Sequence, residues 1–203
     1  EADQHIPFPL NEVNIDYHII ENNQTNSQQI DVLLVCSKTS NVASRVTAAK
    51  LANLTAIVID IESYITERSF PHLKAAHSQL PHVKSSPLTS AEQGKQKNKT
   101  VAIFDIGANL TCLNVIQDDR LIYTREHDFG GKQLTEQIMK AYQIDYLTAE
   151  QKKLTNDLSD DYESKILKPF KQTLAQQCNR FLQFFYSVKP SISVQQITLC
   201  GGC

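Results

Sequence analysis

One stretch limits the fold of this chain more than any other: Thr100–Val115, TVAIFDIGANLTCLNV. Val101, Ile103 and Ile106 are apolar and Phe104 adds bulk, so the stretch opens as a strand that breaks at Asp105-Ile-Gly-Ala-Asn109. An apolar run resumes at Leu113-Asn-Val115, Asp118-Asp119 offers a second turn, and Leu121-Ile-Tyr-Thr124 follows. The pattern predicts two or three adjacent antiparallel strands joined by tight turns, the first turn being Asp105–Thr111.

That first turn has a chemical use. Gly107 takes backbone shapes that other residues resist and lets a ligand approach the chain, and Ala108 is small. Successive backbone N–H groups in such a turn form a concave anion site. Asn109 and Thr111 add a side-chain donor and a hydroxyl. Asp105 cannot hold a phosphate, but it can accept hydrogen bonds from the waters around Mg²⁺, an ion that keeps most of its hydration shell. The make-up suits an Mg-nucleotide. An ordinary hairpin with glycine for geometry is the competing reading, and a short glycine pattern alone does not separate the two.

The 203 residues can form one or two domains. A formal charge of −2 with no long block of like charges gives no basic face for nucleic acid. No apolar run approaches the roughly 18 residues of a spanning helix. The first residue is Glu, so the chain reads as a piece of something longer. Cys36, Cys112, Cys178, Cys200 and Cys203 make an odd set, and four lie in apolar stretches. They read as buried free thiols in a reducing compartment. Cys200-Gly-Gly-Cys203 has neither a helix start nor a second pair to make it a redox or metal site. Asn23, Asn53, Asn98 and Asn109 fit the glycosylation pattern, which matters only in a secreted chain.

Along the chain, Ile6-Pro-Phe-Pro-Leu10 favours an extended segment. Residues 14–21 alternate as a strand, with Ile15, Tyr17 and Ile19 on one face, and 22–29 read as a loop. Ile30–Cys36 is a continuous apolar run of the kind found in a central, doubly covered strand. Residues 40–53 read as a helix with Ser40 as cap and Val42, Val46, Ala49 and Asn53 on one face. Ala56–Ile61 reads as another strand. Residues 62–70 continue helically and close a small α+β unit at 1–70. Residues 71–99, with Pro71, Pro81 and Pro87, read as a linker. His72, His77 and His82 recur every five residues, a poor metal spacing, and read as solvated loop residues.

Beyond the hairpins, Gly130-Gly131 breaks the strand and a helix begins, with Leu134, Ile138, Ala141 and Tyr142 facing a core. A further helix starts near Asp145, with Thr148 as its cap. Glu150 and Lys153 have the spacing of a surface ion pair. Ile166–Tyr186 is the longest amphipathic helix, striped by Ile166, Phe170, Leu174, Cys178, Phe181 and Phe185, with Pro169 in its first turn. Ser191–Cys200 returns to a strand that ends in Gly201-Gly202.

The series FDIGANLTCLNV, YTREHDFGGKQLTEQI, LTAEQKKL and ITLCGG, in that order, resembles the actin, hexokinase and heat-shock chaperone ATPase superfamily. With the IPFPL start, SRVTAAKLANL and VIDIESY, the chain is more similar to the PilM family of actin-like type IV pilus assembly proteins, and to the cell-division protein FtsA. The resemblance implies an α/β fold: an incomplete actin-like, ribonuclease H-like lobe at 100–203 with an inserted helical subdomain at about 132–187, beside a small FtsA-like α+β subdomain. It assigns Asp105, Gly107, Ala108, Asn109 and Thr111 to a phosphate loop, with Asp105 facing the Mg²⁺ shell. Gly130 and Gly131 match a glycine pair close to the phosphates. Glu150 and Lys153 match an element that holds ribose and adenine, and Gly201 and Gly202 match the adenosine motif. Glu62 matches, loosely, a position that orients attacking water, and is the one catalytic candidate.

The family resemblance further implies a cytoplasmic ATP-binding adaptor of the inner-membrane pilus platform. Its expected partner is the N-terminal peptide of PilN, a membrane-anchored protein, with nucleotide acting mainly as a conformational ligand. The superfamily's first phosphate loop falls before residue 1. One clamp fewer lowers ATP affinity by several kcal/mol, at roughly 1.5–3 kcal/mol per charge-assisted bond. This chain is therefore expected to bind ATP weakly or not at all, to hydrolyse it weakly at most, and to self-associate through bare apolar faces. The alternatives are an active ATPase or small-molecule kinase of the superfamily, and an FtsA-like filament former.

Overall fold

The computed structural model describes residues 6–20, 31–77 and 99–202. They divide into two compact units, residues 1–60 and 61–203.

In the first unit, β1 (Val13–Ile20) and β2 (Asp31–Lys38) form an antiparallel pair running from Val13 opposite Lys38 to Ile20 opposite Asp31. Helix α1 (Thr39–Leu51) follows β2 directly. Val42, Val46 and Ala49 form its half-buried face, as the spacing predicts. Asn53 lies beyond it in the left-handed conformation, φ 57°, and the Leu54 N–H closes the helix on the Ala49 carbonyl at 2.9 Å. Lys38, not Ser40, precedes the helix, and no side chain caps it. Two strand expectations are corrected here. Among the described residues β2 has β1 as its sole neighbour and so lies at an edge of that pair, and Ala56–Ile61 joins no ladder. A strand exists by pairing, and apolar character alone does not supply the partner. The loop expected at 22–29 lies outside the described residues.

The second unit begins with α2 (Glu62–His77), which runs on through Pro71. The sequence places this helix in the first unit and ends it at Phe70. Its Phe70 instead packs with Val101, Ile103 and Ile116 of the second unit. Burial of that ring outweighs one ladder bond lost at proline. His72 and His77 accordingly lie in a helix rather than a loop, and His82 is outside the described residues.

Strands β3 (Thr100–Ile106), β4 (Thr111–Gln117) and β5 (Arg120–His127) form an antiparallel meander, as expected. Asp118 and Asp119 turn the second hairpin with φ of 51° and 61°. After α3 (Gly131–Tyr142), α4 (Tyr146–Thr155), a π-helical turn at Glu163–Leu167 and α5 (Lys168–Val188), strand β6 (Gln196–Cys200) lies parallel to β3. The order is β5-β4-β3-β6.

One sheet face packs Ala102, Phe104, Ile106, Leu113 and Val115 against Phe181 and Phe185 of α5. The other carries the Phe70 cluster. A third cluster joins Leu134, Ile138, Ala149, Tyr162, Ile166 and Phe170 among the helices. The predicted α5 stripe is therefore shared between two cores: Phe170 serves the helices and Phe181 the sheet. Ala141 is exposed, contrary to its expected place on the α3 core face. Asp145, not Thr148, caps α4; its carboxylate accepts from the Thr148 N–H at 3.1 Å and the Thr148 hydroxyl at 2.7 Å.

Candidate functional site

Strand β3 carries Asp105 to the sheet end where the chain turns. Register places Cys112 on one side of Asp105 and Cys200 on the other, with Glu126 beyond Cys112. Directly opposed residues share a face, so the four form one row. Burial, then neighbouring carboxylates including Glu62 and Asp105, raise the thiol of Cys200 above its ordinary range. The Cys112 thiol is raised too: burial is the largest cause, a Thr124 hydrogen bond opposes it, and Glu126, Glu62 and Asp105 add to it. Glu62, at the start of α2 and 43 positions before Asp105 in sequence, thus lies near enough for its charge to reach both thiols. The described thiols are half-buried, and Cys200 exposed, rather than buried as the sequence suggests. Cys203 lies outside the described residues.

The turn after β3 has two sides. Its carbonyls are occupied: those of Gly107 and Ala108 accept from the N–H groups of Gly131 at 3.0 Å and Lys132 at 2.8 Å. They cap α3, whose first amides otherwise have no partner. The Gly107 N–H closes the turn on the Leu110 carbonyl at 2.9 Å. The amides of Ala108, Asn109 and Leu110 meet no protein acceptor among the described residues, and all three residues are exposed. Three open N–H groups in succession are what an anion site needs.

The glycines hold this end together. A Cβ on Gly130 would lie 2.2 Å from the Gly107 carbonyl oxygen, so only glycine lets the β5–α3 loop seat against the turn. Its N–H is taken by Gln133 Oε1 at 2.8 Å. With the Gly131 N–H also spent, the pair offers no free amide in this structure, and at Gly130 the missing side chain allows close packing of backbone on backbone. Gly201, at φ +119°, seats on Ile106, where a Cβ would come within 2.1 Å of the carbonyl oxygen. Gly202 has open space where a side chain would be. Gly107 itself meets only the Leu110 oxygen, at 3.1 Å, and holds no positive φ, so its conformational freedom is not used. Both glycine bends, at 130–131 and 201–202, sit at the same sheet end as Asp105.

Two expected ligand groups have other work. Thr111 is buried, and its hydroxyl donates to the Phe129 carbonyl at 2.6 Å, tying β4 to the glycine loop. In this structure that hydroxyl is committed to the Phe129 carbonyl, whereas Asn109 stays exposed and available. Glu150 and Lys153 do pair, at 2.8 Å, but not as a loose surface pair. Lys153 also donates to Thr135 Oγ1 at 2.9 Å, and Thr135 bonds Glu150 Oε1. Burial pushes the Glu150 carboxyl up, yet hydrogen bonds from Lys153 and Thr135 outweigh it and hold the group below the ordinary glutamate range. Sequence reading missed Thr135 and Gln133. The signal for Gln133 was its place three residues after Gly130, the reach of a capping box.

Among the described residues no three His, Cys, Asp or Glu side chains are placed to hold a metal directly. Asp105 is flanked directly by two thiols, with Glu126 one strand further, a poor donor set for Mg²⁺, which prefers oxygen. The row fits a hydrated ion reached through Asp105 and no closer ligation. Among the described residues no helix is long and apolar enough to cross a membrane.

The family model described as type IV pilus assembly protein PilM matches residues 1–203. A solved structure described as a PilM-PilN type IV pilus biogenesis complex is similar over 99% of this chain, at 25% identity and TM-score 0.69. This chain spans 52% of that protein's length. The ethanolamine utilization protein EutJ from Carboxydothermus hydrogenoformans aligns over 52% of this chain and 36% of its own, at 19% identity and TM-score 0.36. With its α/β architecture and a match along its whole length, the chain belongs to the PilM family of actin-like type IV pilus assembly proteins.

Proposed function

We propose that the chain is part of an ATP-binding adaptor of type IV pilus assembly, cytoplasmic and held at the inner membrane by a membrane-anchored partner of the PilN kind. The observation that carries the nucleotide half of this reading is the convergence at the end of β3. Open amides at Ala108, Asn109 and Leu110 stand with Asp105 behind them and Gly201 and Gly202 beside them. The three amides hold phosphate oxygens, Asp105 accepts from the waters of Mg²⁺, and Glu150 and Lys153 serve the nucleoside. Bound Mg²⁺ supplies charge neutralisation of the phosphates. The partner half rests on family membership and on the complex to which the chain is similar.

A labelled peptide from the N-terminal cytoplasmic segment of such a partner, titrated into the protein with and without Mg·ATP, tests the whole. A several-fold change in peptide affinity on adding nucleotide is expected, because a conformational ligand acts only by differential affinity. A peptide that binds equally tightly in both conditions contradicts it. A second reading, slow hydrolysis, is favoured by Glu62, whose charge reaches both thiols beside Asp105. Under that reading Glu62→Gln abolishes turnover and leaves nucleotide affinity in place.

A further inference from the structure

We infer that Thr135 is a positioning residue that joins the Glu150–Lys153 pair to the turn after β3, an inference that rests on the nucleotide reading above. Thr135 is fully buried in α3, one helical turn past Gly131. Its hydroxyl oxygen accepts from Lys153 Nζ at 2.9 Å. Its one proton has Glu150 Oε1 within reach and the Gly131 carbonyl at 3.2 Å. A buried hydroxyl with both kinds of partner is fully used, and valine of the same shape would fill the space but strip Lys153 of an acceptor.

The next link is the first turn of α3. The amides of Gly131 and Lys132 donate to the carbonyls of Gly107 and Ala108. When the Thr135 proton turns to the Gly131 carbonyl, a run of hydrogen bonds leads from Lys153 of α4, through Thr135 and the start of α3, to the carbonyl side of a turn whose amide side is open. The residues assigned to nucleoside and those assigned to phosphate are thus held in one frame.

Amide hydrogen exchange on the ligand-free protein tests the tie. Thr135→Val should speed exchange at Gly131 and Lys132 by about tenfold, the loss expected for one such bond, and leave Ile138 and Met139 within about twofold of wild type. Thr135→Ser should restore the wild-type pattern. Lys153→Met should speed the same two amides from the other helix, and the double variant should add nothing further. If Thr135→Val leaves Gly131 and Lys132 unchanged, or speeds Ile138 and Met139 equally, Thr135 merely fills space and the inference is overturned. It is overturned as well if Lys153→Met leaves both amides unmoved. Mg·ATP is added last. If the wild-type turn does not respond while the exchange pattern holds, the nucleotide reading falls and the tie survives it. If the turn responds but Thr135→Val changes no exchange, the tie falls and the nucleotide reading stands.

Discussion

The two units build sheets from similar apolar material with unlike results. In the first, β1 leaves Ile15, Ile19 and, at 66%, Tyr17 exposed, and Ile57 in the following segment is 91% exposed. In the second, Phe104, Leu113 and Val115 are sealed beneath α5. The difference lies in what covers each face and not in the strand pattern. Alternation announces that a face needs a cover; it does not say that one is present.

The widest test of that contrast is truncation of matched side chains. Phe185→Ala, which empties a site that meets Phe181, Tyr123 and the sheet, should cost about 3–5 kcal/mol in denaturant unfolding followed by a probe in the second unit. Tyr17→Ala should cost less than about 1 kcal/mol by a probe in the first. Equal losses would break the comparison. Within the second unit, Gly201→Ala should destabilise by about 2–4 kcal/mol, from positive φ and a Cβ driven into Ile106. Gly202→Ala, into open space, should stay within about 0.5 kcal/mol. Thr111→Val, which leaves the Phe129 carbonyl unpaired, should cost about 1–3 kcal/mol by the same unfolding curve.

The smallest effect is at Asp161. Lys165 foremost, then Ser159 and Tyr142, hold its carboxyl at about 2 by hydrogen bonding. A depressed folded value means that its contribution is complete above the ordinary aspartate range and disappears as pH falls toward about 2. A carboxyl titration by NMR should show the low value in wild type and a return toward the ordinary range in Lys165→Met. An unchanged midpoint would remove Lys165 as the cause.

What could be read beforehand follows the same division. The hairpins of β3–β5 and the α5 stripe were legible because period and turn chemistry are local. The sequence also marked Asp105, Gly130, Gly131, Gly201 and Gly202, and the fold does bring them to one end. Their work was less legible. Gly130 and Gly201 are required by backbone 23 and 95 positions away in sequence, at Gly107 and Ile106, which no local pattern reports. Thr111 reads as a ligand from sequence because a hydroxyl beside a glycine turn can face either way, and the fold sets it against the Phe129 carbonyl, 18 positions on. The strand expected at Ala56–Ile61 differs for the opposite reason: a strong strand pattern meets no strand to pair with among the described residues.

The most direct test of the account is an amide spectrum of the chain with millimolar Mg·ATP, where even weak binding registers. The prediction is that Ala108, Asn109 and Leu110 shift together, with Gly202 following, while Gly131 and Lys132, whose protons are already committed, move least. Shifts that gather elsewhere in the second unit, with those three amides unmoved, would contradict it.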